Sequence, residues 1–350
     1  LVFSGDGGAS EGDFHEAINT AAVWDLPVIF LVENNGYGLS TPSRDQFRCK
    51  QFIDKGVGYG IDAFQVDGNN VIDVYDLLNR LTKSMRETPK PVIVECMTFR
   101  MRGHEEASGT KYVPQELLSE WSQKDPLENF KHFLFSEGIL SEDTADHMAA
   151  EIRAEIDEHL QKAYAEEPIH STSGMELDDV YQPFLYQEVK KNESKEEVRF
   201  IDAISQGLKQ SMRRHENLVL MGQDIAEYGG VFKITEGCLE EFGSERVRNT
   251  PICESGVVSA AMGLSINGMK AMVEMQFADF VSTGFNPIVN YLAKVNYRWN
   301  QNADVVVRMP CGAGVGAGPF HSQTNEAWFT KTPGLKVVYH AFPADAKGLL

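Results

Sequence analysis

The chain has 350 residues, 42% of them hydrophobic, which is enough for two domains of ordinary size with a core in each. Asp and Glu number 51 against 32 Lys and Arg, and a net charge of −19 repels nucleic acid and anionic membranes, so neither is expected as a partner. No apolar run approaches the roughly 18 residues that span a bilayer. The five scattered cysteines, Cys49, Cys96, Cys238, Cys253 and Cys311, offer neither a CxxC pair nor a disulfide framework, and point to a reducing cytoplasm.

Taken in order, the sequence opens at Leu1 without Met, inside a strand pattern, and stops at Leu350 inside a helical one, as expected of an internal piece of a longer protein. Strands are predicted at residues 1–3, 28–32, 64–66 and 91–96. Helices fall between them at 13–24 and 71–86, the second with Val71, Val74, Leu77, Leu78 and Leu81 in helical spacing. Strands alternating with helices imply a parallel, doubly wound sheet. From Val113 to Lys191 helices take over, at 114–122, 126–136 and 141–166. The last has Ser141 as N-cap and Met148, Ile152, Ile156, Leu160 and Ala163 along one face. Residues 166–197 are polar and end in a charged run over 190–197, which reads as a linker or surface crossing. A second alternation follows: helix 200–214, strand 218–221, helix 256–266, strand 270–275, helix 285–299, strands 305–308 and 337–339, and a helix from Ala344. The expected fold class is α/β, with two doubly wound parallel-sheet domains, 1–191 and 196–350, joined by a helical connector.

The densest motif is Gly5-Asp6-Gly7-Gly8-Ala9-Ser10-Glu11-Gly12 after the first strand, answered by Glu33-Asn34-Asn35-Gly36-Tyr37 after the second. Strand, Gly-rich turn and helix together aim backbone N–H groups and a helix N-terminus at an anion, and glycines let the backbone approach phosphates. The turn has no Lys, so it is not a P-loop, and Ser10 stands where a dinucleotide fingerprint needs its third Gly. Asp6 and Asn35 are expected side by side at the carboxyl edge of a parallel sheet, where such folds bind ligands. A carboxylate, an amide oxygen and a backbone carbonyl suit Mg²⁺ shared with a diphosphate. The other reading is that these are ordinary turn and cap residues.

Together the two segments resemble the GDG…NN signature of thiamine diphosphate enzymes. Residues 5–42 resemble more closely the alpha subunit of the decarboxylating first component of 2-oxo acid dehydrogenase complexes. The resemblance implies thiamine diphosphate and Mg²⁺ as cofactors, with Asp6 and Asn35 as side-chain metal ligands and Tyr37 giving its carbonyl. Gly5, Gly7, Gly8 and Ala9 then form the cofactor-binding turn. In Thr98-Phe99-Arg100-Met101-Arg102-Gly103-His104, the histidine falls where that alpha subunit carries one beside the cofactor diphosphate and the reacting carbon. Taken alone, His104 reads as an exposed residue on a basic loop, while Arg100 and Arg102 favour an anion site. Glu105 occupies the place of a serine that is phosphorylated in some relatives, so that control is expected to be absent.

The second half carries Thr250-Pro251-Ile252-Cys253-Glu254-Ser255-Gly256 and then Glu274-Met275-Gln276-Phe277-Ala278-Asp279-Phe280. By itself Glu254 is a first-turn carboxylate favoured by the helix dipole. Its surroundings resemble the beta subunit of the same dehydrogenases, which implies that Glu254 is the acid hydrogen-bonded to the cofactor's pyrimidine ring. Ile252, Gln276 and Phe280 then line that ring, with Phe280 replacing a frequent Tyr and losing its hydroxyl. Farther on, Gly312-x-Gly314-x-x-Ala317 mimics a dinucleotide fingerprint, but Pro319 and the lack of a following helical pattern argue against one. His321 ends this loop. The resemblance makes it an active-site residue that assists acyl transfer to a lipoyl arm, and a loop-anchoring role is the alternative.

Alpha-like through about Lys191 and beta-like from about Glu196, the chain resembles the fused form of this enzyme. The implied activity is oxidative decarboxylation of a 2-oxo acid, leaning towards the branched-chain (2-oxoisovalerate) type. The acyl group passes to lipoamide on the lipoyl domain of a dihydrolipoyl acyltransferase, and a homodimer is expected. The alternatives are a pyruvate or acetoin dehydrogenase component, a transketolase-like ketol transferase, and a non-catalytic cofactor-binding scaffold. The helical connector and residues 250–254 speak against the ketol transferase.

Overall fold

Successive side chains of a strand face opposite ways. The run Ile29–Asn34 (β2) is apolar on both faces, so it has to be covered twice. In the computed structural model, which describes residues 1–105, 107, 109–185 and 195–350, it is. Four parallel strands, β1 (Val2–Gly5), β2, β5 (Asp62–Asp67) and β6 (Val92–Met97), are ordered β1-β2-β6-β5. On one face Ile29, Leu31, Val92 and Val94 pack against Leu77, Leu81 and Met85 of α3 (Val71–Glu87). On the other, Phe30, Val32 and Ile93 meet Ile18 and Ala21 of α1 (Gly12–Val23), with Phe52 beside the short α2 (Lys55–Tyr59). A two-residue hairpin, β3 (Tyr37–Gly38) with β4 (Thr41–Pro42), follows β2; its strands are too short for periodicity to reveal.

This sheet belongs to the first of two units, Leu1–His170 and Ser171–Leu350. The first unit also holds α4 (Gln115–Ser122), α5 (Pro126–Ser136) and α6 (Glu142–Ala165), none of which buries a residue. Ser141 caps α6 by accepting from the Thr144 N–H at 3.2 Å, while Met148, Ile152, Ile156 and Leu160 stay exposed along its apolar face. The polar stretch expected as linker contains a helix, α7 (Ser173–Val180), capped by Thr172. Met175 and Leu177 are exposed on it, so no buried stripe marked it. Most of the charged run expected over 190–197 lies outside the described residues.

The second unit repeats the plan. Strands β7 (Leu218–Gly222), β8 (Val247–Asn249), β9 (Lys270–Glu274) and β10 (Val305–Arg308) are parallel in the order β10-β9-β7-β8. Ile204, Leu208 and Met212 of α8 (Phe200–Arg214) pack on Leu218, Leu220 and Met272, with α9 (Cys238–Phe242) contributing Cys238. Gly207 lets α12 (Pro343–Leu349) approach, since a Cβ there would stand 3.0 Å from the Lys347 carbonyl. Helix α10 (Glu254–Ile266) packs on β9 and buries Val257, Val258 and Ala261. Two expectations fail here. The helix expected over 285–299 is divided into a π-helical turn, Pro287–Leu292, and α11 (Val295–Trp299), the ladder changing at residues 293–294, where the Ala293 N–H reaches the Ile288 carbonyl and the Lys294 N–H the Tyr291 carbonyl. The strand expected over 337–339 does not form: Val337, Val338 and Tyr339 are exposed and pair with no strand. A short apolar run satisfies the pattern of a strand without supplying it a neighbour. Among the described residues no helix is long and apolar enough to cross a membrane.

Candidate cofactor site

In the first unit Gly5 pairs with Glu33 across β1 and β2, so the residues that follow leave the same carboxyl edge. Asp6 is fully buried there. Its Oδ1 accepts from the Asn35 N–H at 3.4 Å and its Oδ2 from the Ser43 hydroxyl at 2.5 Å. Asn35 Oδ1 accepts from the Tyr37 N–H at 3.0 Å, and Asn34 Oδ1 from the Gly36 N–H at 3.0 Å, two successive Asx turns that bend the chain into the β3–β4 hairpin. That hairpin crosses the Gly-rich turn so closely that a Cβ on Gly7 would lie 2.6 Å from Gly38 Cα. Gly8, Ala9 and Ser10 form a 3-10 turn leading towards α1. Gly5, Asp6, Gly7, Gly8, Ala9, Asn35 and Tyr37 therefore come together.

Three supporting residues escaped the sequence reading. Glu95, on β6 and only 1% exposed, accepts four N–H groups: Asn34 Nδ2 at 2.7 Å, Gln65 Nε2 at 3.0 Å, and the Phe52 and Ile53 amides at 3.1 and 3.3 Å. It fixes the side chain next to Asn35 from below, and its one signal was a Glu inside an apolar strand. Lys55 donates to the Ala9 carbonyl at 3.3 Å and lies over the Phe52 ring at 4.3 Å, and burial pulls its ammonium below the usual lysine range. Ser43 is the third.

His104 is exposed. Arg100 Nη1 lies 3.1 Å from its Nδ1, which must accept because a guanidinium only donates. The other end of that guanidinium donates to the Leu39 carbonyl at 2.7 Å and to Tyr112 Oη at 2.9 Å. Tyr37 packs edge-on against Phe99 and Tyr112. The loop carrying His104 is thus tied to the hairpin that follows Asn35.

Among the described residues no three or more of His, Cys, Asp and Glu are grouped to hold a metal. What the edge offers is a set of unlike oxygens: one carboxylate, one amide and backbone carbonyls. Mg²⁺ is held in this way when phosphate and water complete its six ligands. The residues fit a magnesium diphosphate.

In the second unit Glu254 opens α10 after Cys253, and 9% of it is exposed. Gln223 Nε2 donates to its Oε1 at 3.3 Å. Gly284 comes so near that a Cβ there would lie 3.1 Å from the Glu254 carbonyl. Glu254 lines a cavity of about 430 Å³ with Ile252, Asp279, Phe280, Gln323 and Trp328. Two carboxylates, Glu254 and Asp279, stand among the apolar and aromatic walls of Ile252, Phe280 and Trp328, a lining that suits a flat aminopyrimidine ring. The His321 ring meets Phe277 and Phe280 edge-on at 5.1 and 5.3 Å. Gln276 is not among the lining residues; its amide donates to Asp224 Oδ2 at 2.7 Å. The Gly-rich loop before His321 makes a 3-10 turn at Ala313–Val315, and no helix follows it directly.

Residues 1–172 match the family model described as Dehydrogenase E1 component, and residues 196–350 match that of the Transketolase, pyrimidine binding domain. The chain is 44% identical over 153 residues to the 2-oxoisovalerate dehydrogenase subunit beta of Bacillus subtilis (strain 168), covering 43% of this chain and 47% of that protein. It is 38% identical over 186 residues to the mitochondrial 2-oxoisovalerate dehydrogenase subunit beta of Dictyostelium discoideum, covering 52% of this chain and 50% of that protein. Identity to the Pyruvate dehydrogenase E1 component subunit beta of Acholeplasma laidlawii is 40% over 155 residues, 44% of this chain and 47% of that protein. The chain spans about half the length of these relatives. The chain thus joins a part similar to the dehydrogenase E1 component to a part similar to the transketolase pyrimidine binding domain, and that pairing of likenesses implies thiamine diphosphate.

Proposed function

We propose that the chain belongs to the thiamine diphosphate- and Mg²⁺-dependent component of a 2-oxo acid dehydrogenase complex, in the fused alpha–beta form. The reaction is oxidative decarboxylation of a 2-oxo acid, with the acyl group delivered to a lipoyl domain of a dihydrolipoyl acyltransferase. The observation that carries this reading is the buried Asp6 carboxylate bonded to Asn35 at the end of two parallel strands, in a chain whose second unit places Glu254 in an aromatic cavity. When bound, the cofactor supplies an electron sink for the carbon–carbon bond that breaks.

The residues of the chain have separable tasks. Asp6, Asn35 and the Tyr37 carbonyl hold the metal, and Gly5, Gly7, Gly8 and Ala9 admit the diphosphate. Glu254 holds a proton at the pyrimidine ring, with Ile252 and Phe280 as its walls. His104 and His321 serve the substrate and the acyl group. Gln276 would have to leave Asp224 to join them. The names of the first relatives support a branched-chain substrate, and the Acholeplasma laidlawii relative supports pyruvate as the second reading. The homodimer is proposed with them. The five cysteines, none of them in a disulfide, support a reducing compartment, the cytoplasm.

The test is a lipoyl-domain acylation assay with 2-oxoisovalerate and pyruvate side by side, and ketol transfer from a sugar phosphate as control. Acylation is expected, faster from 2-oxoisovalerate. Ketol transfer without acylation would assign the chain to the transketolase side instead.

A further inference from the structure

The Gly-rich loop before His321 touches little: Gly312, Gly316 and Gly318 have φ of 108°, 67° and 77°, and residues 313–320 are exposed. Both feet of this loop stand on one short segment. At the first, the Ala278 N–H donates to the Pro310 carbonyl at 2.8 Å. At the second, Asp279 Oδ1 accepts from the Gln323 N–H at 3.3 Å and Asn325 Nδ2 donates to the Ala278 carbonyl at 2.8 Å. Gly312 N–H to the Gln323 carbonyl, 3.0 Å, ties the feet together. Asp279 is only 7% exposed, and its Oδ2 has no hydrogen-bond partner among the described residues. A buried carboxylate with one oxygen unanswered is costly, and packing alone does not call for it.

We propose that Asp279 is a positioning residue for acyl transfer, a latch on the Gln323 backbone that holds His321 against Phe277 and Phe280. The latch acts two residues after the histidine. Without it the glycine-rich segment lets the imidazole swing away and Gln323 leave the cavity wall, while Glu254 keeps its bond from Gln223. Asp279 itself touches no reacting atom. This inference rests on the reading of His321 as the acyl-transfer residue.

Two assays on the whole protein separate the steps: decarboxylation coupled to dichlorophenolindophenol, and acylation of a lipoyl domain. Because Asp279 also lines the Glu254 cavity, the readout is the ratio of the two rates: Asp279→Ala is expected to slow acylation about tenfold or more beyond whatever it costs dye-coupled decarboxylation. Asp279→Asn keeps an oxygen for the Gln323 N–H and is expected to restore acylation. A third readout needs no turnover: diethyl pyrocarbonate should modify His321 faster in Asp279→Ala than in the unchanged or Asp279→Asn proteins. Should Asp279→Ala fail to fold, hydrogen exchange on the unchanged protein decides, with the Gln323 amide expected to exchange more slowly than the Gly314 amide. Equal losses in both assays, an Asp279→Asn as impaired as Asp279→Ala, unaltered His321 labelling, or an unprotected Gln323 amide would each overturn the latch. If the unchanged protein decarboxylates no 2-oxo acid, the functional reading fails separately, and labelling and exchange still judge the latch.

Discussion

Asp6 and Glu254 are both buried carboxylates with a glycine pressed nearby, yet they are held in different ways. Asp6 is gripped locally: its two oxygens answer a backbone N–H from the first residue beyond β2 and a hydroxyl from the first residue beyond β4, and the glycines that make room belong to the same motif. Glu254 is gripped from afar, by Gln223, by the close pass of Gly284 and by cavity walls from residues 279–328. The first region is a set of backbone turns that present oxygens. The second is a side-chain cavity whose shape depends on many distant residues. A turn survives changes elsewhere in the domain, whereas a cavity does not.

The sharpest way to separate the regions is to remove one carboxylate at a time. Glu254→Gln keeps the shape of the cavity and loses the proton; turnover should fall by about 10²–10⁴-fold, with cofactor affinity little changed. Retained turnover would remove Glu254 from the mechanism. Asp6→Ala should instead weaken Mg²⁺-dependent thiamine diphosphate binding, by more than the roughly 10–100-fold that losing a supporting residue costs. Titration calorimetry reads the difference.

Next in size is the support beneath each region. Glu95→Leu leaves four N–H donors without an acceptor and should destabilise the first unit by about 3 kcal/mol or more, read by urea unfolding. Gly284→Val forces the Glu254 backbone to move and should lower turnover while sparing the first unit's urea midpoint.

The smallest effects follow pH and thiol chemistry. His15 bonds Tyr59, and burial first, then the Lys55 charge, lowers its affinity for a proton below that of an ordinary histidine at 6.5. The unfolded chain therefore binds more protons as pH falls past 6.5, so His15's contribution is complete above that value and is lost below it. Unfolding at about pH 7.5 and about pH 5.5, compared with His15→Gln, should show the larger drop in the unchanged protein. Burial, helped by Glu33 and Glu95, pushes the Cys96 thiol up to about 11, whereas Cys311 is exposed. Iodoacetamide should label Cys311 well before Cys96, and the reverse order would mean that the first sheet opens.

The same contrast decides what could be read from the residues. The helices over 126–136 and 200–214 and the strand over 305–308 have the bounds that their caps and periodicity imply. Asp6 and Asn35 were visible because each ends a strand within a short, self-contained motif. Glu254 and His321 carried no such local signature; only likeness to a known subunit singled them out, since their partners are distant in sequence. Glu95 and Asp279 went unmarked because a buried carboxylate means nothing until its donors are placed. The strand expected over 337–339 and the unbroken helix over 285–299 failed for the same reason in reverse: local pattern promised a strand with no neighbour to pair with and a helix whose ladder changes at residues 293–294.

The most direct test of the whole account is calorimetric titration of thiamine diphosphate into the protein with Mg²⁺ and again with a chelator. Saturable binding that disappears with the chelator, and that Asp6→Ala abolishes, is the predicted result. Binding indifferent to Mg²⁺ and to Asp6, or no binding at all, would contradict it.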